Sequence, residues 1–207
     1  MKKNIHKILL VVLILVLIIY IAQNKLGSNN DADYSDEEPT EEPITTTLDK
    51  ERDAPKQTPT LYSGYTFALQ QGQNVGNFGG LQLGKIADYV LPGKMKEDTL
   101  YLAGLWESEK EFLVLKDDKG VVVLDFAASS VNLVADNVDK SIEVDVFING
   151  EYVSSEQAGS DVVFEEERAF VVVDTPQSYN IVGGEHGRYE LRLESNAGLI
   201  FHAITFD

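Results

Sequence analysis

Between Ser141 and Asn149 the chain reads SIEVDVFIN, and this alternation restricts the fold more than any other stretch. Ile142, Val144, Val146 and Ile148 fall on one side of an extended backbone, and Glu143, Asp145 and Phe147 on the other. Strand side chains alternate with a period of two, so the pattern predicts a strand with one buried face. Asn149-Gly150 follows and predicts a hairpin returning through Glu151–Ser154, because both turn residues tolerate positive φ. Arg188–Glu194 alternates in the same way, with Tyr189, Leu191 and Leu193 inward. Denser apolar runs at Val121–Phe126, Val131–Ala135 and Phe170–Val173 suit buried strands. Further strands are expected at Tyr65–Leu69, Leu100–Trp106, Phe112–Lys116 and Gly198–Phe206. Roughly nine or ten short strands with frequent turns, and no amphipathic helix, predict an all-β sandwich or barrel over residues 61–207.

A different pattern precedes that domain. Ile8–Ala22 reads ILLVVLILVLIIYIA, fifteen apolar or aromatic residues without a charge. As a helix it covers about 22 Å, short of the roughly 30 Å bilayer core unless flanking residues extend it. Lys2, Lys3 and Lys7 precede it, which places the N-terminus in the cytoplasm and the rest of the chain outside. A cleaved signal peptide fits the same length, but Tyr20 is too large for the usual small-residue cleavage pattern. Residues 1–26 are therefore expected to be a cytoplasmic stub and single transmembrane anchor, with residues 8–22 in the bilayer.

Residues 27–60 have the composition of a disordered spacer. Seven acids fall between Asp31 and Glu42, and Pro39, Pro43, Pro55 and Pro59 interrupt the stretch. It cannot bury enough apolar surface to offset its ordering entropy, and its like charges extend it. The whole chain has 17 Lys and Arg against 34 Asp and Glu, a net charge of −17. Such a surface repels phosphate backbones, so no nucleic-acid partner is expected. There is no cysteine, which excludes thiol catalysis, disulfides, thiolate metal sites and lipidation on cysteine.

Several landmarks of the domain occur in a recognisable order. Thr58-Pro59-Thr60-Leu61-Tyr62-Ser63-Gly64-Tyr65 comes first, then Tyr89-Val90-Leu91-Pro92. Leu102-Ala103-Gly104-Leu105-Trp106 with Glu109 follows, then Val131-Asn132-Leu133-Val134 and Val146-Phe147-Ile148-Asn149-Gly150. Gly159-Ser160-Asp161-Val162, Gly184-Glu185-His186, Tyr189-Glu190-Leu191 and Ala203-Ile204-Thr205-Phe206 complete the series. From Thr58 to Asp207 the chain resembles the C-terminal domain that follows the thioredoxin domain in DipZ-type proteins, the thioredoxin-like C-terminal domain family. The resemblance implies a jelly-roll β-sandwich similar to carbohydrate-binding modules. It implies no redox chemistry here, because neither the multi-span membrane domain nor a Cys-x-x-Cys pair is present. Phe67 stands where the family often has a basic residue.

Catalytic signals are sparse. Beyond the expected anchor the only imidazoles are His186 and His202, and no G-x-S-x-G occurs. His202, in the last strand, is expected to be structural. Acids are plentiful, but a glycosidase needs two across one cleft, and spacing does not reveal such a pair. No enzyme is expected. Sugar recognition calls for flat aromatic faces with amides or carboxylates beside them. Tyr179, in an expected loop after Pro176, is one candidate platform. Trp106 is a second, although its strand position favours the core. Asn137, Asn180 and His186 are candidate loop partners for hydroxyls. Asp136 and Asp139 are candidate ligands of a structural calcium, with ordinary turn chemistry as the alternative. No other cofactor is expected.

These readings converge on a membrane-anchored, extracytoplasmic, non-catalytic module that binds an envelope carbohydrate. The alternative is a protein-interaction subunit that docks an exported thioredoxin-like redox partner.

Overall fold

The structure, a computed structural model, describes residues 55–207; the expected anchor and the linker before Pro55 lie outside the described residues. Strands dominate. β1 spans Leu61–Tyr62, β2 Lys85–Tyr89, β3 Tyr101–Ser108, β4 Leu113–Leu115, β5 Gly120–Asn137 and β6 Ile142–Ile148. β7 spans Glu151–Tyr152, β8 Val162–Glu165, β9 Arg168–Val173, β10 Gln177–Ser195 and β11 Leu199–Phe206. One short helix, α1, covers Tyr65–Gln70. That helix replaces the strand expected at Tyr65–Leu69. Its first amides, Tyr65 and Thr66, donate to the Glu109 and Lys110 carbonyls at 3.0 and 2.9 Å, Ala68 donates to the Gly64 carbonyl at 2.9 Å, and only Ala68 is buried. Among the described residues no helix is long and apolar enough to cross a membrane.

Two long strands organise the domain. β5 and β10 pair antiparallel from Gly120↔Ser195 to Ala135↔Gln177. What the sequence divides into Val121–Phe126 and Val131–Ala135 is one strand, and Tyr179 and Arg188–Glu194 likewise share β10. The register slips between Gly183↔Ser130 and Gly187↔Ala128, where Gly184 takes a φ of 151°. The segment around His186, expected to be a loop, is thus a bulge inside β10, which bends the strand. On one side of the slip β5 also pairs with β3, and on the other with β11. β4 joins β11 to β3, so β5, β11, β4 and β3 close a ring. The other arm continues from β10 through β6 and β9 to β8. The all-β expectation holds, with the strands joined in one 11-stranded sheet.

The inward faces make one core. Ile142, Val144, Val146 and Ile148 of β6 are buried together with Leu124, Phe126, Leu133, Leu191, Phe201 and Trp106. Asn149 and Gly150 have φ of 53° and 87°, and Ile148 pairs with Glu151, as a two-residue hairpin turn requires.

The compact unit of the described residues runs from Pro55 to Asp207. The Thr58 amide donates to the Ala127 carbonyl at 2.8 Å, and its hydroxyl accepts from the Ala127 amide at 2.8 Å. Gln57 donates to the Phe206 carbonyl at 2.8 Å. These backbone partners lie far along the chain and tie the first described residues to the sheet. Gly64 sits where a Cβ would lie 2.2 Å from the backbone carbon of Glu111. Backbone atoms yield poorly, so Gly64→Ala is expected to lower stability by about 1–3 kcal/mol. Urea unfolding followed by far-ultraviolet circular dichroism measures this.

Candidate functional site

The residues singled out from sequence do not line a common cavity. Trp106 is fully buried, and its indole donates to the Ala103 carbonyl at 2.9 Å. Tyr179 is also buried; its hydroxyl donates to the Thr175 carbonyl at 2.6 Å and accepts from the Asp174 amide at 3.1 Å. Neither ring offers a face to a ligand, which corrects both as platforms: each is large and apolar enough to be drawn into the core. The Asn180 side chain ties strands together, donating to Asn132 Oδ1 at 3.0 Å and accepting from the Ser160 amide at 2.9 Å. Asn137 is buried at the end of β5 and donates to the Val173 carbonyl at 3.3 Å. His186 is exposed, with Nε2 2.8 Å from the Pro55 carbonyl.

Asp136 is buried, and its carboxylate accepts the Asn137 amide at 2.8 Å, so backbone geometry accounts for it. Asp139 is exposed on the following turn. Among the described residues no group of three or more His, Asp or Glu side chains is placed to hold a metal ion.

A different surface gathers aromatic and charged groups. Glu143, Asp145 and Phe147 face outward from β6. The Asn149-Gly150 turn sets Tyr152 opposite Phe147, and the rings stack with centroids 4.3 Å apart at 27°. β9 runs along the other edge of β6 and pairs Phe170 with Asp145. Arg168 from β9 donates to Asp145 at 2.8 Å and to Glu143 at 3.0 Å. Its guanidinium lies 4.8 Å from the Phe170 ring centroid. Hydrogen bonds to Asp145 and Glu143 hold Arg168 above its already high ordinary pKa. β10 adds Arg192 and Glu194, 2.7 Å apart, and Lys119 reaches Glu194 at 2.7 Å. Burial pushes the Glu194 carboxyl up, but hydrogen bonds from Lys119 and Arg192 outweigh it and leave it below the usual range.

A shallow cavity of about 180 Å³ opens among Lys119, Glu143, Asp145, Arg168, Glu194 and Asn196. Fixed charges beside a half-exposed aromatic stack can orient hydroxyls while the outer ring packs on C–H groups. Glu143, Asp145 and Phe147 are visible in the sequence as the polar side of an alternation. Their meeting with Tyr152 follows from the two-residue turn, which is a readable signal. Arg168 and Phe170 join them only through the β6–β9 register.

The family model for the thioredoxin-like C-terminal domain matches residues 58–207. The chain belongs to the thioredoxin-like C-terminal domain family. No curated protein matches it. The match begins at Thr58, the residue clamped to Ala127, and runs to the last residue, so it covers almost all of the described domain. In this member of the thioredoxin-like C-terminal domain family the Gly64-Tyr65 pair opens α1, and Phe67 packs on Tyr62 with centroids 5.9 Å apart.

Proposed function

We propose that the chain is a non-catalytic binding module, held at the outer face of a membrane by residues 8–22, that takes an envelope carbohydrate on the outward face of β6, β9 and β10. The observation that carries this reading is the Phe147–Tyr152 stack beside the paired Arg168, Asp145 and Glu143. It supplies an apolar ring face and fixed hydrogen-bonding groups within one hairpin and its neighbouring strand. Family membership supports a binding module but names no ligand. The two histidines of the domain contribute no base to this face: His186 is bonded to the Pro55 carbonyl, and His202 is buried in β11.

A glycan array followed by titration calorimetry tests the reading. Tyr152→Ala is expected to weaken carbohydrate binding by about five- to 150-fold while the circular dichroism spectrum stays unchanged, taking the roughly 1–3 kcal/mol of a base stacked on one aromatic as the scale for a ring face. Absence of any glycan binding by the unaltered chain sinks it. The family also favours a second reading, docking of an exported thioredoxin-like protein. Co-purification of a Cys-x-x-Cys protein, lost on Arg168→Glu, would support that reading instead.

A further inference from the structure

A cavity of about 340 Å³ lies between the loop that follows α1 and the loop that leads into β3. Buried Leu61, Val75 and Leu100 give it an apolar lining, and Tyr62 adds a half-buried ring. Strand register separates it from the aromatic face. Phe147 pairs with Arg192, Arg192 with Val123, and Val123 with Tyr101, which lines the cavity. Three strand spacings put Phe147 and Tyr101 about 14 Å apart.

The walls of the cavity are bonded to one another. Gln73 donates to the Thr60 carbonyl at 2.7 Å and accepts the Tyr62 amide at 3.0 Å. The Gly76 amide donates to the Leu100 carbonyl at 2.8 Å. A Cβ on Gly76 would lie 2.3 Å from the Tyr101 ring, so only glycine lets the two loops approach this closely. Asp98 takes a φ of 54°, a conformation uncommon outside glycine. Its amide bond to the Asp125 carbonyl at 2.8 Å and the Thr58 hydroxyl on its carboxylate keep it there. Backbone held in such sparse regions clusters at ligand clamps.

Four side chains of the lining keep hydrogen-bonding capacity that no described residue uses. The Tyr101 hydroxyl accepts the Lys96 amide at 2.9 Å and retains its proton. Asn74 spends its carbonyl oxygen on the Val75 and Leu81 amides and leaves its NH2 group unspent. Asp98 turns one carboxylate oxygen to Thr58 and Arg188 and leaves the other. Glu97 and Asp98 face Arg188, and Lys96 forms no ion pair among the described residues. Donors and an acceptor thus stand beside an apolar lining, and the opposite charges of Lys96 and Asp98 favour neither an anion nor a cation. A sugar ring meets each part, with hydroxyls for the polar groups and C–H faces for the apolar ones. The volume lies at the small end of ligand pockets, roughly 300–1,000 Å³, so it suits one ring and not a chain.

We propose that this cavity is a carbohydrate site separate from the β6 face, and that it takes one neutral sugar residue. That residue is a free monosaccharide or the end of a glycan chain, which offer the cavity the same ring. The proposal stands even if the β6 face binds nothing.

Saturation-transfer NMR titration of the full chain, in a detergent without a sugar headgroup, tests it with neutral pentoses and hexoses as probes. Lys96→Met is expected to weaken binding about 10- to 150-fold, the scale of a hydrogen bond to a charged group. Tyr101→Phe keeps the ring and is expected to cost about two- to twelvefold. Circular dichroism should be unchanged in both, and Tyr152→Ala should leave the sugar bound. In the Tyr152→Ala background, an oligosaccharide ending in the preferred sugar that binds more tightly than the free sugar marks a chain end as the source. Weaker binding marks the free sugar. No saturation transfer from any probe, transfer that survives both Lys96→Met and Tyr101→Phe, transfer abolished by Tyr152→Ala, or tighter binding of a uronate or an amino sugar would each overturn the proposal.

Discussion

Trp106→Ala is expected to lower the unfolding free energy by about 3–5 kcal/mol, the range for emptying a buried large aromatic site. Trp106 is fully buried in β3, paired with Ala87 on one side and Leu115 on the other. It stands where β2, β3 and β4 meet, so the cavity would open at the seam of the closed ring. The indole also donates to the Ala103 carbonyl, which would lose that partner. In a domain of this size each kcal/mol moves the melting temperature by roughly 2–4 °C, so a fall of about 10–15 °C is expected by circular dichroism. Trp106→Phe should cost less, because it keeps most of the volume. A Trp106→Ala protein of unchanged stability, combined with lost ligand binding, would return the residue to the role of a platform.

Stability is expected to fall on mild acidification because of His202. This residue is the one left over where the β11–β5 register slips between Phe201 and Ala203. It is buried against the edge of Phe112, centroids 5.3 Å apart, and its Nδ1 has no partner. Burial drives its pKa down to about 4, with a backbone hydrogen bond at Glu111 opposing only part of that shift. The folded chain therefore keeps the ring neutral where the unfolded chain protonates it. The unfolded state binds more protons below about pH 6.5, so stability declines as pH falls from there and levels off near pH 4. The loss should approach about 3 kcal/mol in total. Urea midpoints at pH 7.5 and pH 5 measure it, and His202→Phe should remove most of the difference between them. A wild-type chain equally stable at both values would show that the buried ring accepts a proton without penalty.

Much of the strand content is legible because alternation is local. The inward set of β6 and the Asn149-Gly150 turn occur as the pattern predicts. The helix at Tyr65–Gln70 is not, since six residues carry too little periodicity to distinguish it from a strand. The continuity of β5 and β10 is also hidden. The expected loop around His186 is a bulge, and nothing local tells a bulge from a turn when the partner strand lies about fifty residues away. The location of the aromatic side chains is hidden for a related reason. The aromatic area that suits Trp106 and Tyr179 to a ligand also draws both into the core.

Local chemistry along the chain already specifies an extended-strand domain, one tight hairpin, the absence of any thiol, and a strongly acidic composition. Each depends on residue type or on neighbours a few positions apart. The sheet order, the burial of His202, and the meeting of Tyr152 and Phe147 with Arg168 are settled by pairing between distant strands. That pairing depends on which apolar faces can close over one another, a collective property that no single segment carries.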